Sequence, residues 1–555
     1  MSTAVIFIDI QEKFTERLDN KEKYLKKVYN FAAGIRPTDL PVFHIHSVAG
    51  GKSMLTIGCD DETVIKQGYD SFIKTGLEVI IQEYGLKSVI IAGLYTHVCV
   101  QSLAMGFHDR GIKVTLVKDC LDSDRLNHAS HALAWMKEKF ADVMDSDEVI
   151  NLHSSIPLRL TLLRQLIEEN KQVLMNTMAQ EIHKDFELGD EEITRSIKSI
   201  QGALKSYNQF QWNVKHVKVR NVPYKNVMVI TPYNNPIAIA VKKIAPALLG
   251  GNKVVWKASN LAMKTTEKLK ELIDKAGLSS LVSLYFGYGP TCNKLLDKHN
   301  IKMVSFTGST RYGNEMKEIC ESKGIVFQGE MGTQNTAIIT DTCDLTDAAS
   351  ALKKDCFDFA GQRCTGTRII IVENTVKQLF IDLFLGMCKV VSAGQMVNEE
   401  RANMLASKIE KVIQKGDVHF LLGGKVRKEN WMEYTLLLAD DEDNAFMNME
   451  LFGPVALIIG YDDIFDAVRI ANKSDFQLMS TIYSNSAKEI EIFTDDVESS
   501  ILRINPHFEE GLNMDAPFGG WGKSSSGLPE NGYYDILTYT KPQVIYGLTE
   551  ETFGD

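Results

Sequence analysis

The sequence predicts an α/β protein in which the strand–helix programme runs twice. Three observations carry that expectation. Short runs rich in Val and Ile alternate with helix-like runs from the N-terminus to about residue 150; a polar junction, DSDEVINLHSSIP, interrupts them; and the alternation resumes beyond a helix-rich stretch. Strands this apolar, separated by helices, read as parallel sheets covered on both faces. With 555 residues, the chain has room for about three or four folding units.

In the first region AVIFIDI, PVFHIHS, SVIIAGL and KVTLVKDC read as strands, and GLEVIIQEYG and HVCVQSLAMGFHDRG as helices. Asp9 and Cys99 stand at C-terminal strand ends, where sites on such sheets gather, and Lys66 falls on a loop. A boundary is expected near residues 150–157. Beyond it LRLTLLRQLIEENKQVLMNTMAQEIHKDF carries apolar residues at helical spacing and reads as one long amphipathic helix. NVMVITPYN, NKVVWKAS, SLYFGYG and KMVSFTGST then resume the alternation. TYTKPQVIYGL and QWNVKHVKVRNVPY have alternating apolar residues and read as exposed strands, a kind that tends to pair.

Composition narrows the function classes. Hydrophobic residues at 44% and charged residues at 24% are ordinary for a globular protein. The net charge of −11 comes without a basic block, which speaks against nucleic acid as a partner. MSTAVIFIDIQEKF lacks the basic start of a signal peptide, and no apolar run is long enough to span a membrane. Nine cysteines form an odd set without CxxC pairs or regular spacing, so a reduced, cytoplasmic protein is expected.

Cys99 poses the first chemical question. Free cysteine is often a small core residue, yet a cysteine at a strand-to-helix junction can also be a nucleophile. Amide cleavage by cysteine needs a base, a cation near the developing charge, and N–H donors for the oxyanion. Asp9 and Lys66 are candidates, although Asp9 can equally cap a helix over QEKF and Lys66 can be a solvated lysine. The helix that begins at Cys99 favours a thiolate through its dipole.

IFIDIQEKF, KQGYDSF and GLYTHVCVQSLAMGFHDRGIKVTLVKDCLDS resemble the isochorismatase-like cysteine hydrolases over about residues 4–124, a family that includes nicotinamidases and other amidases. The resemblance implies a domain at 1–150, with Asp9 as proton acceptor, Lys66 as charge stabiliser and Cys99 as nucleophile. It implies an acyl-enzyme, loss of an amine, and hydrolysis by water. The segment between Asp9 and Lys66 is short, and His44 and His46 lack the neighbouring aspartate of zinc-binding nicotinamidases. They read as strand residues, and no metal is expected.

The second half offers parts for aldehyde oxidation, which needs a thiolate, an oxyanion hole, a hydride acceptor and a base for water. TPYNNP supplies Asn234, FQGEMG supplies Glu330, and FAGQRCTGT supplies Cys364 between glycines. Singly, Asn234 is also a turn residue and Glu330 also a surface charge. In order, TPYNNP, WKAS, FTGST, GEMGTQN, GQRC, MELFGPV and PFGGWGKSSSG resemble the aldehyde dehydrogenase superfamily over about residues 158–547.

That resemblance implies a Rossmann-like NAD(P)-binding domain at 157–329 with oligomerisation strands near 210–224, an α/β catalytic domain at 330–525, and a C-terminal oligomerisation segment at 526–555. It makes Cys364 the nucleophile, Glu330 the base, and Asn234 with the Cys364 N–H the oxyanion hole. Lys257 and Glu450 would meet ribose hydroxyls, Phe452 the nicotinamide ribose, and Ser309 the pyrophosphate at a helix start. Thr231, Pro232, Ser259, Gly287 and Gly308 complete the implied cofactor set.

Departures sharpen the expectations. Asn260 stands where the family often has a ribose-binding glutamate, which leaves NADP open beside NAD. Thr333 and Gln334 replace a usual glycine and lysine, and Thr333 adds bulk beside the nicotinamide site. The family's first strands are missing before the helix at 158. Arg363 and Arg503 are candidates for a substrate carboxylate, against a structural role for each. The expected protein is a bifunctional amidohydrolase and aldehyde dehydrogenase, forming a homodimer or homotetramer. The alternative is an aldehyde dehydrogenase with an inert hydrolase-like domain used for assembly or regulation.

Overall fold

The computed structural model describes residues 2–35, 38, 40–58, 61–153, 155–212, 217–506 and 513–546. Parts of the expected junction (154), of the segment near 210–224 (213–216) and of the C-terminal segment (547–555) lie outside the described residues. The chain divides into two compact units, Met1–Arg159 and Leu160–Asp555.

The first unit is built on six parallel strands: β1 (Ser2–Ile8), β2 (Val42–Ser47), β3 (Glu62–Lys66), β4 (Leu86–Leu94), β5 (Lys113–Asp122) and β6 (Ala141–Met144). Their order is β3-β2-β1-β4-β5-β6. Strand periodicity explains why β1 sits at the centre. Ala4, Ile6 and Ile8 enter one apolar layer and Val5 and Phe7 the other, so both faces are covered. Each such fully buried Ile or Val contributes about 1.5–3 kcal/mol relative to exposure. The order reverses between β1 and β4, which opens a crevice at their C-terminal ends.

Lys66 corrects the loop expectation. It is the last residue of β3, paired in register with Ser47, and is buried. The alternation in ETVIK turns Ile65 outward and Lys66 inward.

The predicted long helix after the junction is two helices, Ile156–Glu169 and Lys171–Ile182, and a third, Phe186–Gln209, begins where it was expected to end. Asn170 makes the first break, its Nδ2 donating to the Leu166 carbonyl at 2.8 Å. His183, in the left-handed region at φ 59°, ends the second helix. Among the described residues no strand lies between Met144 and Lys218.

A parallel sheet follows, formed by β8 (Asn226–Ile230), β9 (Lys253–Lys257), β10 (Val282–Tyr285), β11 (Met303–Thr307) and β12 (Val326–Glu330). Its order is β10-β9-β8-β11-β12, with Ser525–Ser526 added antiparallel at the β12 edge. A seven-stranded sheet has Asn335–Ile339 and Thr367–Glu373 near its middle. The two predicted exposed strands pair with each other: β7 (Lys218–Pro223) runs antiparallel to Thr540–Ile545. Among the described residues no helix is long and apolar enough to cross a membrane.

Candidate active sites

In the first unit, Gly93 is the residue that lets β4 close on β1. Its φ is 144°, and a Cβ there would lie 2.0 Å from the Ile8 carbonyl oxygen. Asp9 follows Ile8 with φ 53°, its N–H donating to the Ile45 carbonyl at 2.8 Å. Lys66 Nζ lies 2.7 Å from Asp9 Oδ2, and both side chains are out of solvent. The Cys99 side chain is within hydrogen-bond reach of both members of the pair. Cys99 stands beside the pair in a π-type turn, Thr96–Val100, that precedes the helix Gln101–Asp109. The three predicted residues are therefore gathered from three different strand ends.

The expected thiolate does not follow. Burial pushes the Cys99 thiol up, the Asp9 charge adds to this, and Lys66 opposes both; the result is about 11. Desolvation outweighs the cation because Asp9 already neutralises Lys66. The environment thus favours the thiol form of Cys99, beside the Asp9 carboxyl group.

The structure also gives His44 a carboxylate that local sequence did not reveal. His44 Nε2 lies 2.9 Å from Asp61 Oδ2, brought across from the segment before β3. His46 is pushed down by burial and by His44. Among the described residues, one group of three acidic side chains gathers ligand atoms close together: Asp341, Glu373 and Glu489.

In the second unit, Gly361 opens the loop that carries Cys364. At φ 65° a Cβ would meet the Gly453 carbonyl oxygen at 2.2 Å. The Cys364 carbonyl accepts from Thr333 Oγ1 and Asn335 Nδ2, each at 2.8 Å. Thr333 therefore holds the Cys364 loop as well as lining the cavity before it. Gln334 is buried and donates to the Phe446 carbonyl at 2.7 Å. Asn234 Nδ2 donates to the Gln362 carbonyl at 3.0 Å, one residue pair from Cys364. Burial raises the Cys364 thiol, while Arg195, Lys242 and Arg363 draw it down.

Two cavities border this loop, and a third adjoins the first of them. One of about 270 Å³ contains Asn234, Cys364, Glu450 and Phe452. A second of about 540 Å³ contains Thr231, Pro232, Lys257, Ser259, Gly287, Gly308 and Ser309. Pro232, Gly308 and Ser309 border both, so the predicted cofactor residues form one continuous surface. Ser309 is the N-cap of the helix Thr310–Ser322. That helix start accepts anions, and here Thr310 N–H donates to Glu450 Oε2 at 3.2 Å. Burial raises Glu450 and lowers Lys257. Asn260 Oδ1 accepts from Gly287 N–H at 2.8 Å, fixing the loop beside Lys257. A helix start, a lysine and a cavity of this size suit a dinucleotide.

The third cavity lies on the other side of Cys364 and includes Glu330, Lys242, Phe518 and Glu530. Glu330 is pushed up to about 8 by burial and by the Glu530 charge, and its Oε1 accepts from Ser525 Oγ at 3.0 Å. Burial alone would raise Glu530 too, but Lys242, 2.7 Å away, and Lys243 hold it below the usual carboxylate range.

Several of these partners were not singled out from sequence. Lys184 Nζ reaches Asn234 O at 2.6 Å and Asn235 Oδ1 at 2.9 Å, and Glu192 Oε1 accepts from the N–H groups of Ile237 and Ala238. Together they clamp the TPYNNP turn. The adjacent Lys242–Lys243 and the Glu530 that follows PFGGWGKSSSG were the available signals. Arg363 and Arg503 face Asp358 and Asp355 at 3.9 and 3.8 Å.

The parallel sheet β10-β9-β8-β11-β12 carries a cavity suited to a dinucleotide, and Cys364 stands on the wall of the adjoining cavity. Residues 157–545 match the aldehyde dehydrogenase family, and the chain belongs to that family. Residues 3–148 match the isochorismatase domain, so a hydrolase-type domain is joined to the dehydrogenase. The chain is 32% identical over 328 residues to the alpha-ketoglutaric semialdehyde dehydrogenase of Bacillus subtilis, covering 56% of this chain and 67% of that protein. It is 28% identical over 413 residues to the lactaldehyde dehydrogenase of Methanocaldococcus jannaschii, covering 70% and 86%. Among solved structures, the glyceraldehyde-3-phosphate dehydrogenase of Methanocaldococcus jannaschii complexed with NADP superposes with a TM-score of 0.65 at 26% identity, over 72% of this chain and 91% of that one. The dehydrogenase domain accordingly uses NAD(P) to oxidise aldehydes.

Proposed function

We propose that the protein is a bifunctional enzyme that cleaves a C–N bond at Cys99 and oxidises an aldehyde to an acid at Cys364. The observation that carries this reading is that each cysteine has its own buried carboxyl group nearby: Asp9 beside Cys99, and Glu330 in the cavity that Cys364 lines.

At the first site Asp9 takes the thiol proton as Cys99 attacks the acyl carbon. Lys66 steadies the negative charge, and the proton returns to the departing nitrogen. Water then hydrolyses the thioester. At the second site Asn234 and the Cys364 N–H steady the oxyanion as Cys364 adds to the aldehyde. Bound NAD(P) supplies the hydride acceptor. Glu330 then takes a proton from the water that releases the acid. Lys257, Ser309, Glu450 and Phe452, with Thr231, Pro232, Ser259, Gly287 and Gly308, hold the cofactor. Asn260 places no carboxylate against a 2′-phosphate, so NADP is accepted beside NAD.

One route connects the sites. Hydrolysis of an enamide or ureido-enamide gives an acid and an enamine; the enamine tautomerises to an imine, and water converts it to an aldehyde and ammonia. The open outer edges of the ribbon formed by β7 and Thr540–Ile545 support a homodimer or homotetramer. The test supplies an unsaturated N-acyl or N-carbamoyl compound with NAD and with NADP. Ammonia and NAD(P)H are expected together, Cys99→Ala should stop both, and added aldehyde should restore NAD(P)H. Ammonia release that persists in Cys99→Ala would overturn the hydrolase assignment, and ammonia without NAD(P)H would overturn the link.

A further inference from the structure

Arg368 lies at the start of the strand Thr367–Glu373, near the middle of the seven-stranded sheet, and is 1% exposed. Among the described residues no carboxylate pairs with it. Its guanidinium donors meet backbone carbonyls instead. Nε donates to Leu451 at 3.1 Å, and Nη1 donates to Thr367 at 2.9 Å and to Cys356 at 3.4 Å. Nη2 donates to Gly361 and, at 3.5 Å, to Arg363. A Cβ at Gly366 would come within 2.9 Å of Nη1, so a glycine there lets the guanidinium reach the loop.

Two of these carbonyls, those of Gly361 and Arg363, belong to the loop that carries Cys364. That loop turns through three consecutive left-handed residues, Phe359 at φ 54°, Ala360 at φ 49° and Gly361 at φ 65°. Phe and Ala rarely adopt this conformation, so the surroundings must hold it. The Arg363 carbonyl and the Cys364 N–H are the two ends of one planar peptide group. A cation at the carbonyl end draws electrons toward the oxygen and makes the N–H at the other end a stronger donor. A neutral donor would satisfy the same carbonyls without the cost of burying a charge, so the charge itself asks for a role. Asn234 is tied to the same loop, its Nδ2 donating to the Gln362 carbonyl at 3.0 Å, and an amide nitrogen carries a second N–H.

Building on the reading of Cys364 as the nucleophile with its N–H as an oxyanion donor, we propose that Arg368 is a positioning residue for that oxyanion hole. Its guanidinium grips the Gly361 and Arg363 carbonyls, aims the Cys364 N–H at the reacting carbonyl oxygen and strengthens it as a donor. Arg368 itself touches no substrate.

The test uses the full chain with Cys99→Ala, acylated by cinnamoylimidazole, which passes its acyl group to a thiol and releases imidazole. Peptide mass spectrometry locates the thioester. Its absorbance, read in native protein and again in urea, gives the red shift that donors on the carbonyl oxygen impose. Arg368→Lys keeps the charge and loses the fork. It should lose much of the red shift, and deacylation should slow by about tenfold or more. Alkylation of Cys364 by iodoacetamide passes through no oxyanion, so its rate should stay close to that of the parent. An unchanged red shift would overturn the proposal, and so would alkylation that slows as much as deacylation, which would reduce Arg368 to packing. If Arg368→Lys does not fold, Asn234→Ala decides: the Cys364 N–H should preserve part of the red shift, and its complete loss would overturn the proposal. A thioester absent from Cys364 would instead overturn the reading of Cys364 as the nucleophile.

Discussion

Lys66 Nζ and Asp9 Oδ2 lie 2.7 Å apart, and the two side chains are 0% and 2% exposed. Removing one member leaves a buried charge without its counterion, which costs about 3–5 kcal/mol, whereas removing both is far less costly. Lys66→Met and Asp9→Asn should therefore each destabilise the first unit, and the double variant should recover much of the loss. Hydrogen exchange in peptides from residues 1–159 reads this directly. Additive losses in the double variant would show that the two groups do not act as a pair.

The same pair governs the reactivity of Cys99. Its thiol is pushed up to about 11, first by burial and then by Asp9, with Lys66 opposing. Alkylation of Cys99 by iodoacetamide should therefore rise steeply only above about pH 9. Asp9→Asn should move the midpoint down and Lys66→Met should move it up. Peptide mass spectrometry across pH 7–11 gives the profile, and a wild-type midpoint near 7 would contradict this electrostatic account.

Much of this was legible in the sequence where chemistry and periodicity coincide. The strands around Asp9 and Cys99 are apolar on both faces, and that pattern alone predicts a buried parallel sheet. Asn234, Glu330 and Cys364 stand in motifs whose order constrains them, and the structure brings them to one loop and its cavities. Lys66 was misplaced on a loop because a five-residue edge strand with outward Glu62, Thr63 and Ile65 carries little strand signal. The helix break at Asn170 was missed because the apolar spacing continues across it while one side-chain hydrogen bond ends the first segment. Asp61 beside His44, and Arg195 beside Cys364, are juxtapositions across long sequence separations that local patterns do not record.

Two glycines are predicted to be irreplaceable for steric reasons. At Gly93 an added Cβ meets a backbone oxygen at 2.0 Å, and at Gly361 another does so at 2.2 Å. Neither neighbour is a flexible side-chain end, so the strands or the loop must move. Gly93→Ala should remove ammonia release while aldehyde oxidation continues, and Gly361→Ala should do the reverse. Parallel assays of both reactions check this, and full activity in either variant would refute the close-approach argument.

Asn260 offers a test of cofactor choice. It lines the same cavity as Lys257 and holds Gly287 N–H at 2.8 Å through a side-chain oxygen. Asn260→Glu keeps an acceptor of the same kind but adds a negative charge. A 2′-phosphate would then face repulsion, whereas a ribose diol would gain an acceptor. The ratio of kcat/KM for NADP to that for NAD should fall by about tenfold or more, equivalent to about 1.4 kcal/mol. An unchanged ratio would place the 2′ position away from residue 260.

With Glu330 as the proposed base, the pH dependence of aldehyde oxidation is predicted to follow its carboxyl group. Burial and then Glu530 raise its carboxyl to about 8, so the protonated form is favoured at pH 7. A base must be ionised to accept a proton from water, so turnover should climb between about pH 6.5 and 8.5 and level off above. In Glu330→Gln a single burst of NAD(P)H should appear, because the first thioester forms and is then hydrolysed slowly. Glu530→Gln removes a repelling charge and frees Lys242 and Lys243, all of which favour ionised Glu330, so the rising limb should shift to lower pH. Ser525→Ala removes a hydrogen bond that favours the ionised form and should shift it the other way. Steady-state rates across pH 6–9.5 for the three variants give the answer: a limb that stays in place in both Glu530→Gln and Ser525→Ala would mean that another group is the base.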